Sequence, residues 1–176
     1  MTLPIRVGIS ACLLGEEVRY DGGHRRAQFL IEAFGPSVEW VSICPEVEAG
    51  FGTPREPMRL SRIDGVVRLL AVTTARDVTP PMEDFIRRRV AELRGDGLSG
   101  YILKSNSPSC GLERVAVFDR RGMPTEPGRG LFAEALLREF PEMPVEEEGR
   151  LADPHLLEAF VDRVFDFHRA SFGSSA

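Results

Sequence analysis

The chain has 176 residues, of which 43% are hydrophobic and 28% charged, so it carries enough apolar material for a real core and no compositional case for disorder or collagen. Its 22 basic and 27 acidic residues leave a net charge of −5, which disfavours autonomous nucleic-acid binding because phosphate neutralisation calls for a basic surplus. Charges break every apolar stretch well before the ~20 residues of a membrane span, and no basic region precedes a long apolar one at the N-terminus, so no membrane segment or signal peptide is expected and the location is expected to be cytoplasmic.

In chain order, Ile5 to Ala11 is a compact apolar run that predicts a buried strand, closed by Cys12 and a turn at Gly15. Asp21-Gly22-Gly23 breaks the chain. Ala27, Leu30, Ile31 and Phe34 recur at helical spacing, predicting a helix from about His24 to Phe34 that stops at Gly35-Pro36. Val38 to Ile43 reads as a second strand ending at Cys44-Pro45, and the prolines and glycines from there to Pro57 predict an irregular loop. Asp64-Gly65 between two apolar runs, Arg59–Ile63 and Val66–Val72, predicts a tight antiparallel ribbon.

Pro80 to Leu93 reads as a helix with the stripe Met82, Phe85, Ile86, Val90 and Leu93, with Glu83 and Asp84 placed in its first turn and Gly95 to stop it. Tyr101 to Leu103 is the core of a third strand, followed by the loop Lys104–Gly111, and Val115 to Phe118 is a further short strand. Gly128-Arg-Gly130 opens a helix through about Phe140. Asp153-Pro154 is an N-cap with proline at the first helical position, opening a last helix toward His168. The expected fold is α/β, a single three-layer domain over residues 1–172 with a mostly parallel sheet, a small antiparallel β-ribbon and flanking helices, and a disordered tail at 173–176.

Each of the three cysteines follows a predicted strand: Cys12 the first, Cys44 the second, and Cys110 the loop leaving the third. In an open α/β sheet those ends share one edge, where ligands bind, so the three thiols can converge without any CxxC spacing. Ordinary buried thiols would explain any one of them alone. Soft thiolate ligands restrict a metal to zinc, copper(I) or iron–sulfur. Zinc usually closes four positions and would need a histidine, of which His24 alone lies near a cysteine loop; His155 and His168 fall on the last helix and read as surface or helix-end residues. A 4Fe-4S cluster held by three thiolates leaves one iron free to act as a Lewis acid.

Ser10–Gly15 (SACLLG) with Val18–Gly23 (VRYDGG), Cys44-Pro45-Glu46 running into Gly52–Leu60 (GTPREPMRL), and Leu103–Gly111 (LKSNSPSCG), with Gly128–Phe132 (GRGLF) behind them, resemble in matching order the bacterial thiouracil desulfurase family, long catalogued as a domain of unknown function. The resemblance implies an enzyme with an oxygen-labile 4Fe-4S cluster on Cys12, Cys44 and Cys110. It implies redox-neutral removal of sulfur from a small thiolated base such as 2-thiouracil, giving the oxo base and sulfide. It makes Glu46 the acid/base candidate. Ser107 is the hydroxyl expected to orient water or the base, with Ser109 as the alternative. Lys104, Arg19, Arg55 and Arg59 would offset thiolate and sulfide charge or else pair with Asp21, Glu48 and Glu56, and Tyr20 and Phe51 are the aromatics available to stack on a base. Two other readings use the same cysteines: a non-catalytic iron–sulfur or zinc sensor, which needs neither Glu46 nor Ser107, and a desulfidase of thiolated tRNA, which needs RNA-contacting surface that an acidic chain lacks.

Overall fold

The computed structural model describes residues 3–173. Its centre is a four-stranded, wholly parallel sheet in the order β2 (Val38–Ile43), β1 (Ile5–Ser10), β5 (Leu98–Leu103), β7 (Val145–Glu147). β1 is first in the chain yet sits inside the sheet, so the chain leaves it first to one side and later returns on the other. That reversal between β1 and its neighbours opens a crevice at the carboxyl edge.

Both faces of the sheet are covered. Val7, Ile9 and Ile102 pack with Leu30 and Phe34 of α1 (Gln28–Phe34) and Phe160 and Val164 of α6 (Pro154–Phe172). Ile43, Tyr101 and Leu103 pack with Met82, Phe85 and Ile86 of α3 (Thr79–Leu93) and Phe132 and Leu136 of α4 (Leu131–Glu139). All six β5 residues are buried, as expected of a strand with helices on both sides. Gly8 leaves space for the Tyr101 ring: a Cβ there would fall 2.2 Å from Tyr101 Cδ2.

A second sheet, order β4-β3-β6, flanks the first. β3 (Met58–Ile63) and β4 (Val66–Ala71) form the ribbon, with Ile63 opposite Val66, so Asp64 and Gly65 are the two-residue turn with φ of 51° and 80°. β6 (Val117–Phe118) adds to β3 in parallel, extending the ribbon to three mixed strands.

Several local expectations are corrected. α1 begins at Gln28, not His24, because the amides of Arg25 and Ala27 are taken by the carbonyls of Cys12 and Leu13 at 2.9 and 2.8 Å. Regular structure does exist after Cys44: the single turn α2 (Pro45–Glu48) starts on proline and is closed back by Glu48, whose Oε2 accepts from the Cys44 amide at 2.9 Å. α3 starts at Thr79, so Glu83 and Asp84 lie beyond its first turn; Asp77 Oδ1 accepts from the Thr79 amide instead. β7 and the following turn α5 (Glu148–Leu151) have no counterpart in the sequence reading. α6 runs to Phe172 and is capped by Asp153, whose Oδ1 accepts from the His155 amide at 2.9 Å. His168 is buried rather than exposed, its Nδ1 2.9 Å from Ser99 Oγ. Of the expected tail, Gly173 closes α6 through its amide to Arg169 O, and residues 174–176 lie outside the described residues.

Candidate functional site

Three strand ends deliver three thiols to one place. Cys12 lies in the 3-10 turn Ala11–Leu14 after β1, Cys44 follows β2, and Cys110 ends the loop after β5. β1 and β2 are in register to their ends, Ser10 opposite Ile43, and Ile9 stands opposite Ile102 of β5. The three turns are therefore adjacent, and all three cysteines line one cavity of about 390 Å³, within the ~300–1,000 Å³ of small-ligand sites. All three are free thiols; Cys12 and Cys110 are buried.

Burial dominates their electrostatics. The Cys12 thiol is pushed from its ordinary 9.0 up to about 11 by loss of hydration, with Arg19 and Lys104 acting against that rise. Burial also raises Cys44, and it raises Cys110 furthest while the Ser10 hydroxyl beside that sulfur pulls the other way. Cys44 also raises Cys12, and both raise Cys110, so three thiolates without a cation among them would be strongly disfavoured. Among the described residues no three His, Cys, Asp or Glu side chains close on a point tightly enough to clasp a single ion. The sulfurs border a space instead. His24 is exposed and off the cavity wall, its Nδ1 accepting from the Arg26 amide at 3.1 Å.

Glu46 lies on α2 at the cavity wall with both carboxylate oxygens held. Oε2 sits 2.6 Å from Arg55 Nη2, with the two side chains only 14% and 7% exposed, and Oε1 accepts from the Ser109 hydroxyl at 2.9 Å. Ser107 Oγ accepts from the amides of Ser109 and Cys110 at 3.2 and 3.0 Å, which turns the loop so that Cys110 points inward and leaves the Ser107 proton free to donate. Behind this loop, Gly130 approaches so closely that a Cβ would lie 2.5 Å from the Ser109 carbonyl. That is close packing against the cysteine loop.

The sequence reading missed the residue that holds the base of this loop. Glu148 Oε1 accepts from Lys104 Nζ at 2.8 Å and from Ser105 Oγ at 2.7 Å, while Oε2 accepts from the Ser105 amide at 2.7 Å. Burial works to raise the Glu148 carboxyl, but the Lys104 and Ser105 bonds outweigh it and hold it below its ordinary range. Its neighbour Glu147 accepts from the Leu112 amide at 3.0 Å, so two consecutive carboxylates pin the two ends of the segment that carries Cys110. A carboxylate in an acidic run such as Glu146-Glu147-Glu148 carries no local mark of that role.

The other named residues divide. Tyr20, 42% exposed, and Lys104 border the cavity, as do Ser107 and Ser109. Phe51 does not; it packs, partly buried, against the larger core cluster. The ion pairs also differ from those expected: Glu48 faces Arg89, Glu56 receives Thr73 and Thr74, Asp21 receives the Gly23 amide, and Arg59 covers the Phe118 ring at 5.1 Å. No helix among the described residues is long and apolar enough to cross a membrane.

A protein-family model described as 2-thiouracil desulfurase matches residues 7–148. The chain is 33% identical over 109 residues to the uncharacterized protein YbbK of Bacillus subtilis (strain 168), a match covering 58% of this chain and 71% of YbbK. Among solved structures it resembles the [4Fe-4S]-dependent thiouracil desulfidase TudS, with a TM-score of 0.64 and 28% identity over 88% of this chain and 98% of that one.

Proposed function

This chain belongs to the 2-thiouracil desulfurase family, and we propose that it hydrolyses a thiolated pyrimidine base, 2-thiouracil or a close relative, to the oxo base and sulfide at a 4Fe-4S cluster held by Cys12, Cys44 and Cys110. The observation that carries this reading is the single cavity bordered by all three cysteines together with Glu46, Ser107 and Ser109. Three soft donors around one cavity, with Arg19 and Lys104 nearby to offset charge, are a donor set suited to an iron–sulfur group. When bound, such a cluster supplies a thiophilic Lewis acid for the departing sulfur.

The reaction exchanges no electrons: thione plus water gives carbonyl plus hydrogen sulfide. Oxygen of water bonds to the ring carbon as the carbon–sulfur bond breaks, and the two protons of water leave with sulfide or pass to solvent. Glu46 is placed to take the first of these protons, with Ser109 holding Oε1 and Arg55 holding Oε2 so that the carboxylate keeps one orientation. Ser107 donates its free proton to water or to the base. Tyr20 offers a ring face at the cavity mouth. A cavity of this size takes a free base and, with an acidic chain around it, suits a small molecule rather than a folded RNA.

Anaerobic reconstitution with iron and sulfide, followed by addition of 2-thiouracil, tests the reading. Visible charge-transfer absorbance together with loss of the thione band and formation of uracil is expected. A fully loaded protein that forms no oxo base would overturn the enzyme reading in favour of a sensor.

A further inference from the structure

Four cations border the cavity, and three are already engaged. Arg55 is bound by Glu46 and the Gly52 carbonyl, Lys104 by Glu148 and the Ser105 carbonyl, and Arg25 reaches the His24 carbonyl on the exposed side. Arg19 is different: its Nε is shielded from solvent and meets no acceptor, and its guanidinium has no ion pair among the described residues. Among the described residues the other orphaned buried side-chain groups, Ser61 Oγ and Tyr101 OH, lie off the cavity. A shielded guanidinium N–H without an acceptor is costly for a fold to keep; with Arg19 lining the cavity and in no ion pair among the described residues, its guanidinium is the cation there left open to an incoming acceptor.

Arg19 is held ready by its backbone and its neighbour, not by a carboxylate. Its amide donates to Gly23 O at 3.1 Å, its carbonyl accepts from Gly22 at 2.9 Å, and the Tyr20 carbonyl accepts from the Arg55 amide at 2.8 Å. The guanidinium stands over the Tyr20 ring at 5.9 Å, and that ring is partly open to solvent. Arg19 therefore belongs to the cavity wall, close enough to Cys12 to act on its charge.

We propose that Arg19 is the specificity-determining residue of the cavity, donating its guanidinium to the exocyclic oxygen of an oxo-thio pyrimidine whose sulfur is directed at the three cysteines. In such a base the sulfur and the oxygen sit meta to each other on the ring. A base that enters sulfur first turns its oxygen to a wall, where an acceptor meets a donor-only group. Glu46 Oε2 is taken twice by Arg55, but Oε1 accepts only from Ser109 and keeps a lone pair, so that wall suits a ring N–H and not the oxygen. The proposal rests on the desulfuration reading and makes it narrower: the substrate class is thiones that also carry a carbonyl.

The test compares 2-thiouracil with pyrimidine-2-thione, which lacks the oxygen, on reconstituted wild-type, Arg19→Met and Arg19→Lys proteins of measured cluster content. Arg19→Met is expected to lower kcat/KM for 2-thiouracil by roughly 10- to 100-fold, chiefly through KM, and to erase most of the preference over pyrimidine-2-thione, with Arg19→Lys restoring part of it. An unchanged preference ratio would overturn the proposal, and so would loss of the cluster in both variants, which would assign Arg19 to the cluster. A parallel equilibrium dialysis of uracil against pyrimidin-2-one reads the same contact without turnover: wild type should favour uracil and Arg19→Met should not. If the loaded wild type turns over neither thione, the desulfuration reading fails, and the dialysis arm still decides Arg19.

Discussion

Ser109 donates its hydroxyl to Glu46 Oε1 at 2.9 Å, across 63 positions of sequence, and so ties the loop that carries Cys110 to the turn that carries Cys44. The bond joins the residue proposed to move protons with the loop that presents a proposed ligand, so the geometry of one depends on the other. Arg55 completes the arrangement from the opposite oxygen.

Replacing Glu46 with Gln keeps the size of the side chain and removes its titratable group. Cluster content should stay near that of the wild type while turnover of 2-thiouracil falls about 100-fold, the order usual for a general acid or base. Iron and sulfide analysis beside single-turnover assays checks this, and full activity would remove Glu46 from the chemistry.

Ser109→Ala should cost about 10-fold in turnover, since a hydrogen bond to a charged group is worth roughly 1.5–3 kcal/mol and part of it is retained through Arg55. Because Ser109 acts through Glu46, the double variant with Glu46→Gln should be no slower than Glu46→Gln alone. Additive losses in that cycle would show that Ser109 works independently.

Glu148→Gln leaves the half-buried Lys104 ammonium without its counter-charge and weakens the bonds to Ser105, side chains that are 17% exposed for Lys104 and 16% for Glu148. A loss of about 2 kcal/mol in urea unfolding is expected for a pair this enclosed. The Glu148 carboxyl is held below its ordinary value, so its contribution is present above pH 4.5 and lost as pH falls through the folded value. Wild-type stability should therefore decline on the acid side more steeply than that of Glu148→Gln, and parallel curves would reject the linkage.

A methyl group at position 130 would meet Ser109 carbonyl carbon and oxygen at 2.5 Å and the Cys110 amide nitrogen at 2.8 Å, all of them backbone atoms. Gly130→Ala should thus displace the cysteine loop, costing about 1–3 kcal/mol, and yield protein that reconstitutes poorly. Normal iron uptake with unchanged melting would show that the loop can give way.

In cluster-free protein the raised Cys12 thiol stabilises the fold below pH 9, and that contribution is lost as pH rises from 9.0 toward about 11. The stability difference between wild type and Cys12→Ala should consequently shift against the wild type across that window. Thermal melts in reducing, metal-free buffer measure it, and a difference independent of pH would show that the thiol is not held neutral by burial.

Much of this was readable along the chain, because apolar periodicity and turn chemistry are local. The strands after which Cys12 and Cys44 stand, the Asp64-Gly65 turn and the Asp153 cap each depend on residues a few positions apart, and each is present. The three cysteine loops could be placed at one edge for the same reason, since parallel strands fix where their ends lie. What the tertiary structure alone decided are the relationships between distant residues. β7 is three residues, Val145-Glu146-Glu147, with little strand character of its own, and it exists because β5 offers it hydrogen bonds. Glu148 holds Lys104 across 44 positions, Ser109 holds Glu46 across 63, and Arg19 has no ion pair among the described residues while the cations around it find acceptors. Which carboxylate meets which cation is settled by the packing of separate loops, and no local pattern encodes it.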